Sequence, residues 1–235
     1  MGIKERHERE REAVREAILG AARELFVAEG YRHVSMRKIA ERIEYSPAAI
    51  YSYFTSKDEI FLALAEEGYH LLADHCNAAF ATADDPLEAL RSALWAFYEF
   101  SKAFPEYFEL MFLDRSVPRL SQDVERFEFF QHTTARGEAA IRALVTCGVF
   151  KATVDAAAAL HILWAGLIGP ASLGLTGRLG DEESPDALAH DVLESTLAGL
   201  RAGVATTFHA NECPLRAATH TGEVRPAASH HDHAS

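Results

Sequence analysis

Residues 31–57 read YRHVSMRKIAERIEYSPAAIYSYFTSK, and the fold is decided there. Ser35 is a residue type that caps a helix. Behind it Ile39, Ala40 and Ile43 recur at the three-to-four spacing of a buried stripe, so Arg37, Lys38, Glu41 and Arg42 face outward. A second helix opens at Ser46 with Pro47 in its first turn, where the missing N–H costs nothing, and carries Ala49, Ile50, Tyr53 and Phe54 forward. Only Glu44 and Tyr45 separate the two. So short a connection makes the helices cross steeply and leaves the N-terminal end of the second free to enter a major groove, the layout of a helix-turn-helix.

Chemistry suggests roles within this stretch. The planar fork of Arg37 suits guanine or phosphate. Lys57 offers a compact charge for a backbone phosphate, Lys38 adds an outward charge, and Ser35, Ser46 and Tyr51 offer hydroxyls. Pro47, Ala48 and Ala49 have no side-chain donors, so base reading falls to thymine methyl contacts and to Ser52, Tyr53 and Arg37. The competing role for Tyr53 and Phe54 is to plug the local core.

Working outward, residues 8–29 read as one helix, with Val14, Ala17, Ile18, Ala21, Leu25 and Phe26 on one face and Gly30 as its stop. The polar start before Val14 is expected to be a flexible arm. After Lys57 a long helix runs to about Ala81, then others follow: from Asp85-Pro86 to Pro105, through EYFELMFLD, from Ser121 to about Cys147, from about Asp155 with an interruption at Gly169-Pro170 expected to kink it, and from Ser184-Pro185 to about Phe208. No stretch alternates like a strand. The fold class is therefore all-α with about nine helices: a three-helix helix-turn-helix domain over 1–56, a larger helical domain over 57–209, and a His-rich tail over 210–235 expected to be disordered.

The formal net charge of −12 argues against a nucleic-acid partner until it is divided along the chain. Residues 1–60 hold 11 Lys and Arg against 11 Asp and Glu, leaving 12 against 24 for the rest; residues 31–57 hold five basic residues to two acidic. Local charge is what meets phosphate. Cys76, Cys147 and Cys213 are widely spaced, without a CxxC, and point to a reducing compartment. The charged N-terminus has no apolar signal region, and no later run spans a bilayer without Gly, Pro or charge, so a cytoplasmic protein without a membrane partner is expected.

From about Ala13 to Leu72 the chain resembles the N-terminal domain of TetR-type transcriptional repressors, through AARELFVAEGY, SMRKIAERI and SPAAIYSYFTSKDEIF in that order and spacing. The resemblance implies that Ser35, Tyr51 and Lys57 clamp phosphates and that Arg37, Pro47, Ala48, Ala49, Ser52 and Tyr53 face bases or the groove wall. One departure is Glu44, where the family has glycine in the turn. A non-glycine residue is costly in a left-handed conformation, so this turn is expected to close differently.

The resemblance also implies an effector cavity between helices of the second domain, which is dense in aromatic residues. Trp95, Tyr98, Phe108, Phe112, Phe130 and Trp164 are its expected apolar lining, with His161, and secondarily His132, as polar anchors. The bland alternative is ordinary core. The last two long helices carry wide apolar faces, and the family dimerises there through a four-helix bundle. The expected partners are thus double-stranded operator DNA, a small apolar or aromatic effector and a second copy of the chain, with no cofactor, and the expected function is a repressor released by its effector. Two other readings stand beside it. One is a metal-responsive regulator using Cys213, His220, His230, His231, Asp232 and His233. The other is a helical enzyme acting on an apolar substrate, for which no GxSxG, HExxH or phosphate loop is present. His70, Asp74, His75 and Cys76 form a second loose cluster, read as a solvated face.

Overall fold

The computed structural model describes residues 3–115 and 128–204, with side chains over 4–115 and 134–204. Among these residues there are nine α-helices and no strand: α1 (Ile3–Glu29), α2 (Met36–Arg42), α3 (Pro47–Ile50), α4 (Lys57–Phe80), α5 (Pro86–Ala103), α6 (Pro105–Phe108), α7 (Glu128–Thr146), α8 (Ala156–Leu175) and α9 (Pro185–Ala202). A π-helical turn, Glu109–Leu113, continues α6. Local chemistry sets most starts. Ser35, Ser46, Ser56, Asp85, Asp155 and Ser184 each accept a bond from a backbone N–H of the first turn, relieving donors that no helix can satisfy internally.

The N-terminal helix-turn-helix unit has a small core of Ile18, Ala22 and Phe26 from α1, Ile39 and Ala40 from α2, Ile50 from α3 with Phe54 after it, and Ile60 and Phe61 from α4, all 3% exposed or less. The larger helical domain packs α4 and α5 against each other and lays α8 across α5, α7 and α9. Glycines permit close approach between α8 and α9 and between α4 and α6: a Cβ at Gly166 of α8 would lie 2.9 Å from Val192 of α9, and one at Gly68 of α4 would lie 2.9 Å from the Tyr107 ring.

Three expectations are corrected. Residues 3–13, read as a flexible arm, extend α1, and the side chains of 4–13 are exposed; pairs such as Lys4–Glu8 at 3.9 Å and Arg6–Glu10 at 3.8 Å supply the local support that burial does not. α8 runs unbroken through Gly169-Pro170, and it is long and apolar enough by length and composition to cross a membrane, although its Leu160, Leu163 and Leu167 are buried inside the protein. α9 stops at Ala202 rather than Phe208, because Gly203 takes a left-handed φ of 83° and closes the helix by donating to Gly199 O at 3.0 Å. The start expected at Ser121 and the 210–235 tail lie outside the described residues.

Candidate nucleic-acid interface

The turn between α2 and α3 keeps a left-handed residue even without glycine, so the expectation that it closes differently is overturned. Glu44 sits at φ 60°. Its N–H donates to Glu41 O at 3.3 Å and that of Tyr45 to Ala40 O at 2.9 Å, the paired bonds that end a helix through a left-handed residue. A side chain in this conformation costs about 1–2 kcal/mol. The two bonds and the burial of Ile39 and Ile50 on either side offset it.

Ser46 then caps α3 by accepting from Ala49 N at 3.2 Å, with Pro47 behind it. α3 is a single turn. It tightens at once, with Tyr53 N–H donating to Ile50 O at 2.9 Å and the Ser52 hydroxyl to Ala49 O at 2.6 Å. Pro47, Ala48 and Ser52 are exposed, Ala49 is half-buried, and Tyr51 is 53% exposed. Phe54 is core. Tyr53 is half-buried beneath the Arg11 guanidinium, 5.7 Å from the ring centre, so part of its surface serves packing.

Four of the five basic side chains between residues 31 and 57 are engaged within the protein. Arg37 Nε donates to Glu41 Oε1 at 2.8 Å, Lys38 pairs with Glu29, and Arg42 Nη2 donates to Glu24 Oε2 at 2.7 Å. Lys57 is set deeper than a surface phosphate contact requires. Its Nζ donates to Tyr31 O at 2.7 Å and Val34 O at 3.0 Å and lies 4.1 Å from the centre of the Tyr31 ring, which ties the segment before α2 to the start of α4. Loss of water around the ammonium lowers its pKa. Two of its three N–H donors are thus used by carbonyls, and a phosphate would meet the third. Ser35 Oγ likewise spends one lone pair on Lys38 N at 3.2 Å.

The expected effector residues fall into two groups. Phe108, Phe112 and Trp164 gather around Phe97: ring centres lie 6.0 Å from Phe108, 5.5 Å from Phe112 and 6.0 Å from Trp164, the last stacked at 17°. His161 joins this nest 6.1 Å from Trp164, with Nδ1 2.7 Å from Ala157 O. Trp95 and Tyr98 pair with each other at 5.1 Å on the side of α5 that meets α9. There the buried Tyr98 donates its hydroxyl to Asp186 Oδ1 at 2.6 Å, while Lys102 Nζ lies 3.1 Å from both oxygens of that carboxylate. These bonds hold the Asp186 carboxyl below its ordinary pKa. Tyr98 therefore braces α9 instead of presenting its hydroxyl to a cavity. The side chains of Phe130 and His132 lie outside the described residues.

Sequence reasoning counted Phe97 among the aromatic residues of this domain but not in the preferred lining, although it shares the buried α5 stripe of Leu90, Leu94 and Ser101, and that spacing could have raised it. It also missed the link between the nest and the reader. While Phe108 and Phe112 face the nest, Tyr107 accepts a hydrogen bond from Arg23 Nη1 of α1 at 2.6 Å, and Asp114 accepts one from Tyr31 N at 3.3 Å. Burial pushes the Tyr107 hydroxyl up to about 12. The loose cluster on α4, read as a solvated face, is one only in part: His70, 3.9 Å from Glu66, and Asp74 are exposed, whereas Cys76 is half-buried and His75 packs edge-on to Phe100 and Phe104; among the described residues no group of three His, Cys, Asp or Glu is gathered for an ion.

Residues 18–64 match the family described as bacterial regulatory proteins, tetR family, and residues 68–196 match the tetracyclin repressor-like C-terminal domain. The chain is 33% identical over 102 residues to the HTH-type transcriptional activator FasR of Mycolicibacterium smegmatis, covering 43% of this chain and 47% of that one. It is 37% identical over 60 residues to the HTH-type transcriptional repressor AcnR of Corynebacterium diphtheriae, covering 26% and 32%. The chain thus spans about half or less of the length of these relatives. Among solved structures, the fatty acid degradation regulator FadR of Bacillus halodurans superposes with a TM-score of 0.66 at 19% identity over 80% of this chain and 96% of that one. FadR of Bacillus subtilis in complex with stearoyl-CoA gives 0.66 at 17% identity over 78% and 98%; at these identities the likeness is one of fold.

Proposed function

The chain belongs to the TetR family of DNA-binding transcriptional regulators, and from that premise we propose that it is a homodimeric repressor released from its operator by a small apolar effector. It acts where its operator is, in the cytoplasm. Residues 1–56 form its reader, 57–209 its effector and dimerisation domain, and 210–235 a tail. Ser35, Ser46, Tyr51 and Lys57 meet phosphates; Arg37 and Lys38 lie along the groove; Pro47, Ala48, Ala49, Ser52 and Tyr53 face its bases and walls.

The observation that carries this reading is the two-sided segment from Pro105 to Asp114, with Phe108 and Phe112 in the aromatic nest and Tyr107 and Asp114 bonded to Arg23 and Tyr31. An effector that parts Phe97 from Phe112 and Trp164 displaces this segment and, through it, the reader. Release follows only if the effector binds the displaced state more tightly than the DNA-competent one. The nest is apolar, and a protein of the same fold is described in complex with stearoyl-CoA, which makes a long acyl chain the first effector class to try. The exposed side of α8, including Ile162 and Ala165, is apolar and supports pairing of two copies through α8 and α9.

The test is to select duplexes from a random-sequence pool with the full chain, measure binding by gel shift, and then add stearoyl-CoA or free stearate. Saturable, salt-sensitive binding that weakens with the acyl compound supports the reading. Absence of any selected sequence refutes it, and selection without release by either compound refutes the acyl class.

A further inference from the structure

Arg37 projects from α2 with 79% of its side chain exposed, and a neighbour fixes its orientation. Glu41, one turn later, takes the Nε edge of the guanidinium at 2.8 Å. What a base meets is then the outer edge, Nη1 and Nη2, whose two parallel donors match O6 and N7 of guanine. The arrangement is repeated nearby. Lys38 pairs with Glu29 and Arg42 with Glu24, so three of the five cations between residues 31 and 57 hold a carboxylate. Both of those partners reach across from α1, and neither pairing is a within-helix rung. Helix support alone therefore does not account for the pattern.

A carboxylate beside each cation changes what DNA can gain from it. Non-specific affinity comes from cations that release counterions from phosphate. A cation that keeps a glutamate releases fewer, because the glutamate's own charge must be screened beside the duplex. A guanine, by contrast, offers neutral acceptors and is not repelled by Glu41. Glutamate at position 41 thus penalises contact between Arg37 and phosphate while leaving its guanine-reading edge in place.

We propose that Glu41 is a specificity-determining residue of the reader: by holding Arg37 through Nε it positions the fork for a base and suppresses sequence-independent phosphate binding, with Glu29 and Glu24 doing the latter for Lys38 and Arg42. This rests on the DNA-reader assignment above. Two duplexes of about 30 base pairs serve as probes, one of random sequence and one selected by the wild-type protein, titrated by fluorescence anisotropy across a salt series.

Glu41→Gln should tighten binding to the random duplex about threefold to tenfold at low salt and steepen its log–log salt slope by about one. Binding to the selected duplex should change less, so discrimination falls. Glu41→Asp should restore the slope, and Arg37→Ala should abolish the effect of a second Glu41→Gln change. Unchanged slope and discrimination in Glu41→Gln, or equal weakening on both duplexes, overturns the role of Glu41 while leaving the reader assignment intact. Failure of the wild-type protein to bind either duplex overturns both.

Discussion

Arg23 Nη1 lies 2.6 Å from the Tyr107 hydroxyl and its guanidinium 4.9 Å from the centre of the same ring, joining α1 to α6 across 84 residues of chain. Removing the hydroxyl keeps the ring and breaks the bond. Tyr107→Phe should therefore retain operator affinity within about threefold while cutting the effector-induced loss of affinity by about tenfold, a coupling change within the usual range. The ratio of operator affinities with and without stearoyl-CoA measures it. An unchanged ratio would show that coupling runs elsewhere.

Lys57 has a structural task as well as a proposed phosphate. Lys57→Ala frees the carbonyls of Tyr31 and Val34 and should lower stability by about 1–2 kcal/mol in urea unfolding, besides weakening DNA binding. A variant as stable as wild type but poor at binding would return Lys57 to a purely phosphate-facing role.

Glu44 at φ 60° is held left-handed by its surroundings. Glu44→Gly removes the steric penalty but adds freedom to the unfolded chain, and the first effect is the larger here. A gain of about 0.5–1 kcal/mol is expected, whereas Glu44→Val should cost stability. Thermal melts of the two variants decide; a destabilised glycine variant would mean the turn is not strained by its side chain.

The Cys76 thiol is pushed up to about 12 by burial, and the Tyr107 hydroxyl likewise. Both groups hold their proton more tightly folded than unfolded. Their contribution is fully present below the unfolded values near 9 for the thiol and 10 for the phenol, and is lost as pH rises toward 12. Stability should fall in that window, less steeply in Cys76→Ala. In a Cys213→Ser background at pH 8, a thiol reagent should modify exposed Cys147 at once and Cys76 only after denaturant is added. Rapid reaction of both thiols in the folded protein would contradict the burial.

Ala165 is exposed on α8 beside the exposed Ile162. In the proposed dimer, Ala165→Glu places a charge in an apolar contact and should shift sedimentation from dimer to monomer, with loss of operator binding but little change in helicity. A dimer that survives would move the interface off this face.

The starts of α2 and α3 were legible because their determinants are local: the cap at Ser35, and Ser46 with Pro47, act within one turn of themselves. The helical N-terminus was not, since Lys4, Glu8, Arg6 and Glu10 support it by charge, which apolar periodicity does not register. In α5 the difficulty was of another kind. Trp95, Phe97 and Tyr98 are consecutive or nearly so on a helix that is apolar on several sides, and only the positions of α9 and α8 decide that Tyr98 turns to Asp186 and Phe97 to Trp164. Contacts such as Arg23 with Tyr107 or Tyr31 with Asp114 depend on how distant helices dock and have no signature in either segment.

Gly68 gives α4 a bare patch where it crosses Tyr107 and Met111. With no side chain at the crossing, α4 and the Pro105–Leu113 segment meet backbone against ring, and a Cβ there would lie 2.9 Å from Tyr107. A single methyl group on that patch would act as a wedge, biasing the protein toward whichever docking of the two elements leaves room for it.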